Sequence, residues 1–316
     1  MRPILLALGL LVGFAASGRA AETVITILTS TPSGSWYPVG TTLSSIYGKA
    51  MPGANVTVQA SAGASGENLK LLEAGDGELG FTLGSALAAA WAGNKEAGFD
   101  APLTKLRGIA RLYPGFLHIV ASNRSGIKTL ADLKGKRLSL GPEGSAGAVD
   151  ILTICRAAGF TPGDLANFVH GPFGPSFKLV EQGALDAADL GLGGLGVEMV
   201  RHALASGQAT LVTIPPEVVA NVASLGYVAG TIPAGTYDNQ PGDVPTALIP
   251  TFLVTRVGVG DDVAYMMTKS LFEHLDQLIQ TLPAAKDIDV KKATVGLPIP
   301  LHPGAERYYR EIGIVK

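Results

Sequence analysis

Three times this chain runs a short apolar strand pattern into a small Ser/Gly-rich loop and straight on into a helical pattern. Residues 23–28 lead into Ser33-Gly34-Ser35-Trp36-Tyr37-Pro38-Val39-Gly40. Residues 55–60 lead into Ser61-Ala62-Gly63-Ala64-Ser65-Gly66-Glu67-Asn68, and residues 137–140 into Gly141-Pro142-Glu143-Gly144-Ser145-Ala146-Gly147. Such alternation restricts the chain to α/β layering, because strand and helix must each bury one face against the other. Each junction also places a helix N-terminus, with its unpaired N–H groups and positive dipole end, behind residues small enough to admit an anion. Two readings stay open at this point: a site for a small anion, or helix capping repeated three times.

The N-terminus reads as a secretory signal peptide over 1–20. Met1-Arg2 supplies a positive start, residues 4–16 an apolar and small run, and Gly18-Arg19-Ala20 small residues at a cleavage site. The run is too short to span a bilayer comfortably, although a retained anchor is the competing reading. An exported protein is therefore expected. Without Arg2 and Arg19 the 24 basic residues fall to 22 against 26 acidic ones, with no basic block, which argues against a nucleic-acid partner. Cys155 is the single cysteine and cannot form an internal disulfide, so its apolar setting predicts a buried small side chain.

Coarse periodicity predicts helices over 65–74, with Ser65 as N-cap and Gly75 as stop, and over 146–158, ended by Gly159. Pro38 falls in a first helical turn. A long helix capped by Asp261 is expected to bury Val263, Met267, Leu271, Leu275, Leu278 and Leu282. Two segments read as crossings between lobes: Arg111-Leu112-Tyr113-Pro114, before an apolar strand, and residues 245–255. The expected division is lobe one over 21–114 plus 251–316 and lobe two over 115–250, with a hinged ligand cleft between them.

Motifs of catalysis are absent. Ser65 and Ser145 do not sit in Gly-x-Ser-x-Gly, Gly135-Lys136 lacks the preceding phosphate-loop glycine, and the five histidines have no metal-ligand spacing. No catalytic residue, metal or cofactor is therefore expected. A serine hydrolase assembled in space remains the reading from another class.

Trp36-Tyr37-Pro38-Val39-Gly40, Ser65-x-Glu67-Asn68-Leu69, Leu130-Ala131-Asp132-Leu133-Lys134-Gly135-Lys136, Gly141-Pro142-Glu143-Gly144-Ser145 and the tail Pro298-Ile299-Pro300-Leu301-His302-Pro303-Gly304-Ala305 occur in this order. Together they resemble the TAXI family of solute receptors for TRAP (tripartite ATP-independent periplasmic) transporters, over nearly the whole chain. The resemblance implies an α/β, two-lobed periplasmic binding protein fold, type II-like, with two crossover connections. It implies a small carboxylate such as glutamate or 2-oxoglutarate held between the lobes, a membrane permease as partner, and a periplasmic, monomeric receptor. A sensor or scavenger with the same fold is the alternative. The sequence departs from the family pattern at Ala64, where a glycine is usual, and at Ala146-Gly147, where a hydroxyl is lost. It also places Asp189 among glycines, where a carboxylate facing the cleft would disfavour a second ligand carboxylate.

The candidate ligand-binding residues are Gly34, Ser35, Trp36, Tyr37, Ser65, Asn68, Tyr113, Gly144, Ser145, Ala146 and Gly147. Ser35 and Ser145 either donate to a ligand or cap their own helices. Trp36 and Tyr37 either wall the ligand or pack in the core. Asn68 orients its loop or reaches the ligand, Tyr113 is a cleft residue, and Glu67 is a dipole-favourable first-turn acid. Arg111 is read as a salt-bridge former before a ligand contact, and His302 as the anchor of a C-terminal helix begun by Pro303.

Overall fold

A computed structural model describes residues 23–316 except 33, 142 and 144. The predicted signal peptide over 1–20 and the candidate Gly144 lie outside the described residues. In chain order the first elements are β1 (Val24–Leu28), α1 (Trp36–Ala50), β2 (Asn55–Gln59), α2 (Ala64–Ala74), β3 (Leu79–Leu83) and α3 (Gly84–Ala92). β1 lies between β2 and β3, all parallel, so each loop–helix junction emerges at the same C-terminal edge of the sheet. Helix α1 lies close on this sheet. A Cβ on Gly40 would stand 2.5 Å from the Thr29 methyl, so only glycine permits the approach.

Next come β4 (Leu106–Ser122), β5 (Arg137–Ser139), α4 (Ala146–Ala157), β6 (Asn167–Val169), α5 (Phe173–Glu181), β7 (Ala187–Gly193), α6 (Glu198–Ala205), β8 (Ala209–Leu211), α7 (Pro216–Ala220) and β9 (Val228–Ile232). The chain returns through β10 (Val244–Arg256) and closes with α8 (Asp261–Glu273), α9 (Leu275–Thr281) and α10 (Pro303–Glu311). The sheet order is β2-β1-β3-β10-β4-β7-β5-β6, with β9 on β10 and β8 on β4. The long antiparallel pair β4 and β10 therefore joins two parallel sets. Residues 111–114, expected as a crossing that precedes a strand, are themselves inside β4. Where the pair crosses, Pro114 stands opposite Pro250, and a register shift follows between Pro250 and Phe252. Neither pyrrolidine has an N–H to donate, which weakens the ladder at that rung.

Two expectations about helices are corrected. The helix from Asp261 is not continuous: His274 leaves helical geometry (φ −127°, ψ 32°) and its Nδ1 meets the Ser270 carbonyl at 2.9 Å, separating α8 from α9. Its N-cap is Gly260, and Asp261 is the first helical residue. In α2 the N-cap is Gly63, because the Ser65 hydroxyl instead accepts the Leu83 N–H at 3.1 Å. His302 does cap α10, its Nδ1 accepting the Gly304 N–H at 3.1 Å. Cys155 is buried in an apolar cluster that runs continuously from Ile25 and Leu43 to Leu138 and Ile154; burial pushes its thiol up to about 12. Among the described residues, no helix is long and apolar enough to cross a membrane.

Candidate functional site

A cavity of about 420 Å³ opens where the two parallel strand sets meet beside the β4–β10 crossing. All three loop–helix junctions reach it: Gly34, Ser35 and Trp36 from the first, Gly63, Ala64 and Ser65 from the second, Glu143, Ser145 and Gly147 from the third. Tyr113 and Thr251 line it from β4 and β10. Trp36, Leu83, Phe173 and Leu192 give it apolar walls. Among the described residues that line it, none is a lysine, arginine or histidine, and Glu143 is the only charged side chain.

The three junctions differ in what occupies their donors. At the first, the Ser35 side chain makes no cap at the start of α1. Gly34 is required there, because a Cβ would lie 2.3 Å from the Ser30 hydroxyl oxygen. Beside it the Tyr113 hydroxyl is buried without a hydrogen-bond partner. Burial raises its pKa, and the nearby Ser35 side chain opposes that shift while falling outside hydrogen-bonding geometry. At the second, the Glu67 carboxylate folds back and accepts the Gly63 N–H at 2.7 Å and the Ser61 hydroxyl at 3.0 Å. Ala64 holds φ +43°, a left-handed conformation that glycine adopts freely and alanine does not. At the third, Ser145 caps α4 by accepting the Ala148 N–H at 3.2 Å.

Several candidates are placed elsewhere. Asn68 is fully buried, and its Nδ2 donates to the Thr29 and Phe81 carbonyls, each at 2.9 Å, tying β1 to β3. Tyr37 is half-buried and does not line the cavity. Trp36 does both things left open for it: it lines the cavity and stacks on Phe81 at 5.9 Å. Arg111 lines a separate cavity with Lys286 and Lys292, and its Nη1 points at the Val295 carbonyl.

Three acidic or imidazole groups behind the cavity walls are strongly perturbed. Asp189 is fully buried rather than facing the cleft. It accepts the Gly191 N–H at 2.8 Å, leaves its second oxygen without a partner, and burial raises its pKa well above the ordinary carboxylate value. Asp150, on α4, accepts a 2.5 Å hydrogen bond from Tyr227; burial pushes its pKa up to about 7, opposed by that bond and by the nearby Ser85 side chain on α3. His118 shares a 2.8 Å hydrogen bond with the Tyr237 hydroxyl, and burial pushes it down to about 4. Ser145 thus has no lining histidine beside it. Among the described residues, no cluster of three or more His, Cys, Asp or Glu side chains is arranged to hold a metal.

Phe173, Leu192 and Thr251 were missed from the sequence. Phe173 carried a readable signal, since it opens α5 from Gly171-Pro172 after β6, a further strand–loop–helix junction.

The model of the NMT1-like family matches residues 27–313. Among solved structures, PhnD1 of Prochlorococcus marinus in complex with methylphosphonate is similar at TM-score 0.57 and 15% identity, over 93% of this chain and 100% of that one. MatC of Rhodopseudomonas palustris with bound malate is similar at TM-score 0.55 and 15% identity, over 94% and 100%. A TctC solute-binding protein from Polaromonas gives 0.51 and 15%, over 83% and 88%. At these identities the likeness speaks to fold. The chain belongs to the NMT1-like family and has the mixed α/β fold of the periplasmic solute-binding proteins.

Proposed function

We propose that this protein is an extracytoplasmic solute receptor that captures a small organic acid in the cavity and presents it to a membrane permease of the TRAP type, as a TAXI-family receptor. The observation that carries the reading is the buried, partnerless Tyr113 hydroxyl beside Ser35 at the start of α1, facing Ser145 and Gly147 across one cavity. The N-terminal end of a helix favours an anion, and a buried hydroxyl without a partner is stabilised once a ligand oxygen supplies one. Two proteins of similar fold hold small anions, methylphosphonate and malate.

In this reading the signal peptide over 1–20 directs export to the periplasm and the receptor works as a monomer. Residues 21–114 with 251–316 form one lobe, residues 115–250 the other, and the weakened rung at Pro114 and Pro250 is the hinge. Gly34, Ser35, Trp36, Ser65, Tyr113, Ser145 and Gly147 contact the ligand. The ligand-binding set also includes Gly144 and Ala146 at the third junction, while Tyr37 and Asn68 support the first and second. Closure is favoured by the ligand, and the permease discriminates closed from open receptor.

Calorimetry and thermal shift against small carboxylates, sulfonates and amino acids test this. Saturable binding of an organic acid, weakened in Tyr113→Phe, is expected. Absence of any binder from that panel would overturn the ligand class.

A further inference from the structure

We infer that the ligand carries a single negative charge on an apolar body, and that Glu67 is the residue that excludes a second charge. The inference rests on the proposed capture of an organic acid and narrows it. An anion in this cavity has no lysine, arginine or histidine to meet among the described lining residues, so its charge must be held by N–H and O–H donors. The start of α1, where Ser35 makes no side-chain cap and the buried Tyr113 hydroxyl has no partner, supplies one such position.

The second junction would supply another, but two of its donors are already taken. The Glu67 carboxylate accepts both the Gly63 N–H and the Ser61 hydroxyl, as a ligand carboxylate would. It also sets an acid at the start of α2, offsetting the dipole that would attract a second one. Glu143 adds a further acid at the wall of the third. A dicarboxylate would bring its second group toward filled donors and like charge, which disfavours it. The remaining walls, Trp36, Leu83, Phe173 and Leu192, suit an alkyl or aryl group.

The test compares pairs of equal chain length by calorimetry: hexanoate against hexanedioate, and phenylacetate against 1,4-phenylenediacetate. The native protein is expected to bind each monoacid at least about tenfold more tightly than its diacid. Glu67→Ala frees the Gly63 N–H and should improve diacid binding about tenfold while leaving the monoacid within about twofold. Glu67→Gln, which keeps an acceptor oxygen for the fold and removes the charge, should narrow the gap by a smaller factor. A native preference for diacids, or a monoacid-to-diacid ratio unchanged in both variants, would overturn the inference while leaving the receptor reading intact. Failure of every mono- and diacid to bind would instead remove the organic-acid reading on which it rests.

Discussion

The two sides of the cavity carry their acids in opposite ways. On the β1–β3 side Glu67 is exposed, and its carboxylate fills the donors of a surface loop. Across the cavity Asp150 and Asp189 are fully buried, and each keeps an oxygen without a partner. Burial pushes both toward the neutral form. The difference teaches that an acid beside a binding cavity acts by where its oxygens go. One in solvent competes with a ligand for donors. One in the interior withdraws its charge and leaves the cavity's apolar walls undisturbed.

The largest effect expected from breaking this contrast is at Asp150. Its carboxyl holds its proton more tightly folded, at about 7, than in the ordinary carboxylate range near 3.8. Its stabilising protonation is complete below about pH 4 and is lost as pH rises to about 7. Asp150→Asn, which still accepts from Tyr227, should match the native protein near pH 4 and exceed it by about 2–4 kcal/mol at pH 8. Denaturant melts across that range decide it; a pH-independent difference would contradict the burial argument.

The second junction should prove structural. Asn68→Ala abandons the Thr29 and Phe81 carbonyls and is expected to lower stability by about 2–4 kcal/mol. The surviving folded fraction should bind the ligand within about twofold of native. The first junction should behave in reverse. Tyr113→Phe removes a buried hydroxyl that has no partner, so unliganded stability should rise by about 1 kcal/mol while affinity falls about tenfold. A loss of both stability and affinity would mean the hydroxyl already serves the fold. The smallest effect is expected at Ala64→Gly. Relief of the left-handed alanine is offset by the greater freedom of glycine when unfolded, leaving about 0.5 kcal/mol of stabilisation in melts.

Much of the architecture could be read along the chain because it is local. Strand–loop–helix patterns placed α2 and α4 within a residue and Pro38 in the first turn of α1, and the stops at Gly75 (φ 95°) and Gly159 (φ 79°) follow from glycine's access to left-handed backbone. Pattern reading failed where a side chain competes with the backbone. The apolar face continues past His274, yet the imidazole takes the Ser270 carbonyl and divides the helix. Ser65 has the composition of a cap, yet its hydroxyl is claimed by Leu83, a residue 18 positions away.

The sequence by itself determined the layered α/β class, the three loop–helix junctions and the two apolar runs that became the joining strands. These depend on periodicity and turn chemistry within a few residues. Only the tertiary structure decided that one junction sets a partnerless Tyr113 hydroxyl beside an uncapping Ser35, one has donors taken by Glu67 and one is capped by Ser145, and that Asp189 lies under the cavity wall rather than in it. β7 sits between β4 and β5 and buries both its faces, so alternation along the strand does not say which way residue 189 points. Which donors remain free for a ligand is settled only when every competing oxygen in the fold has found its place.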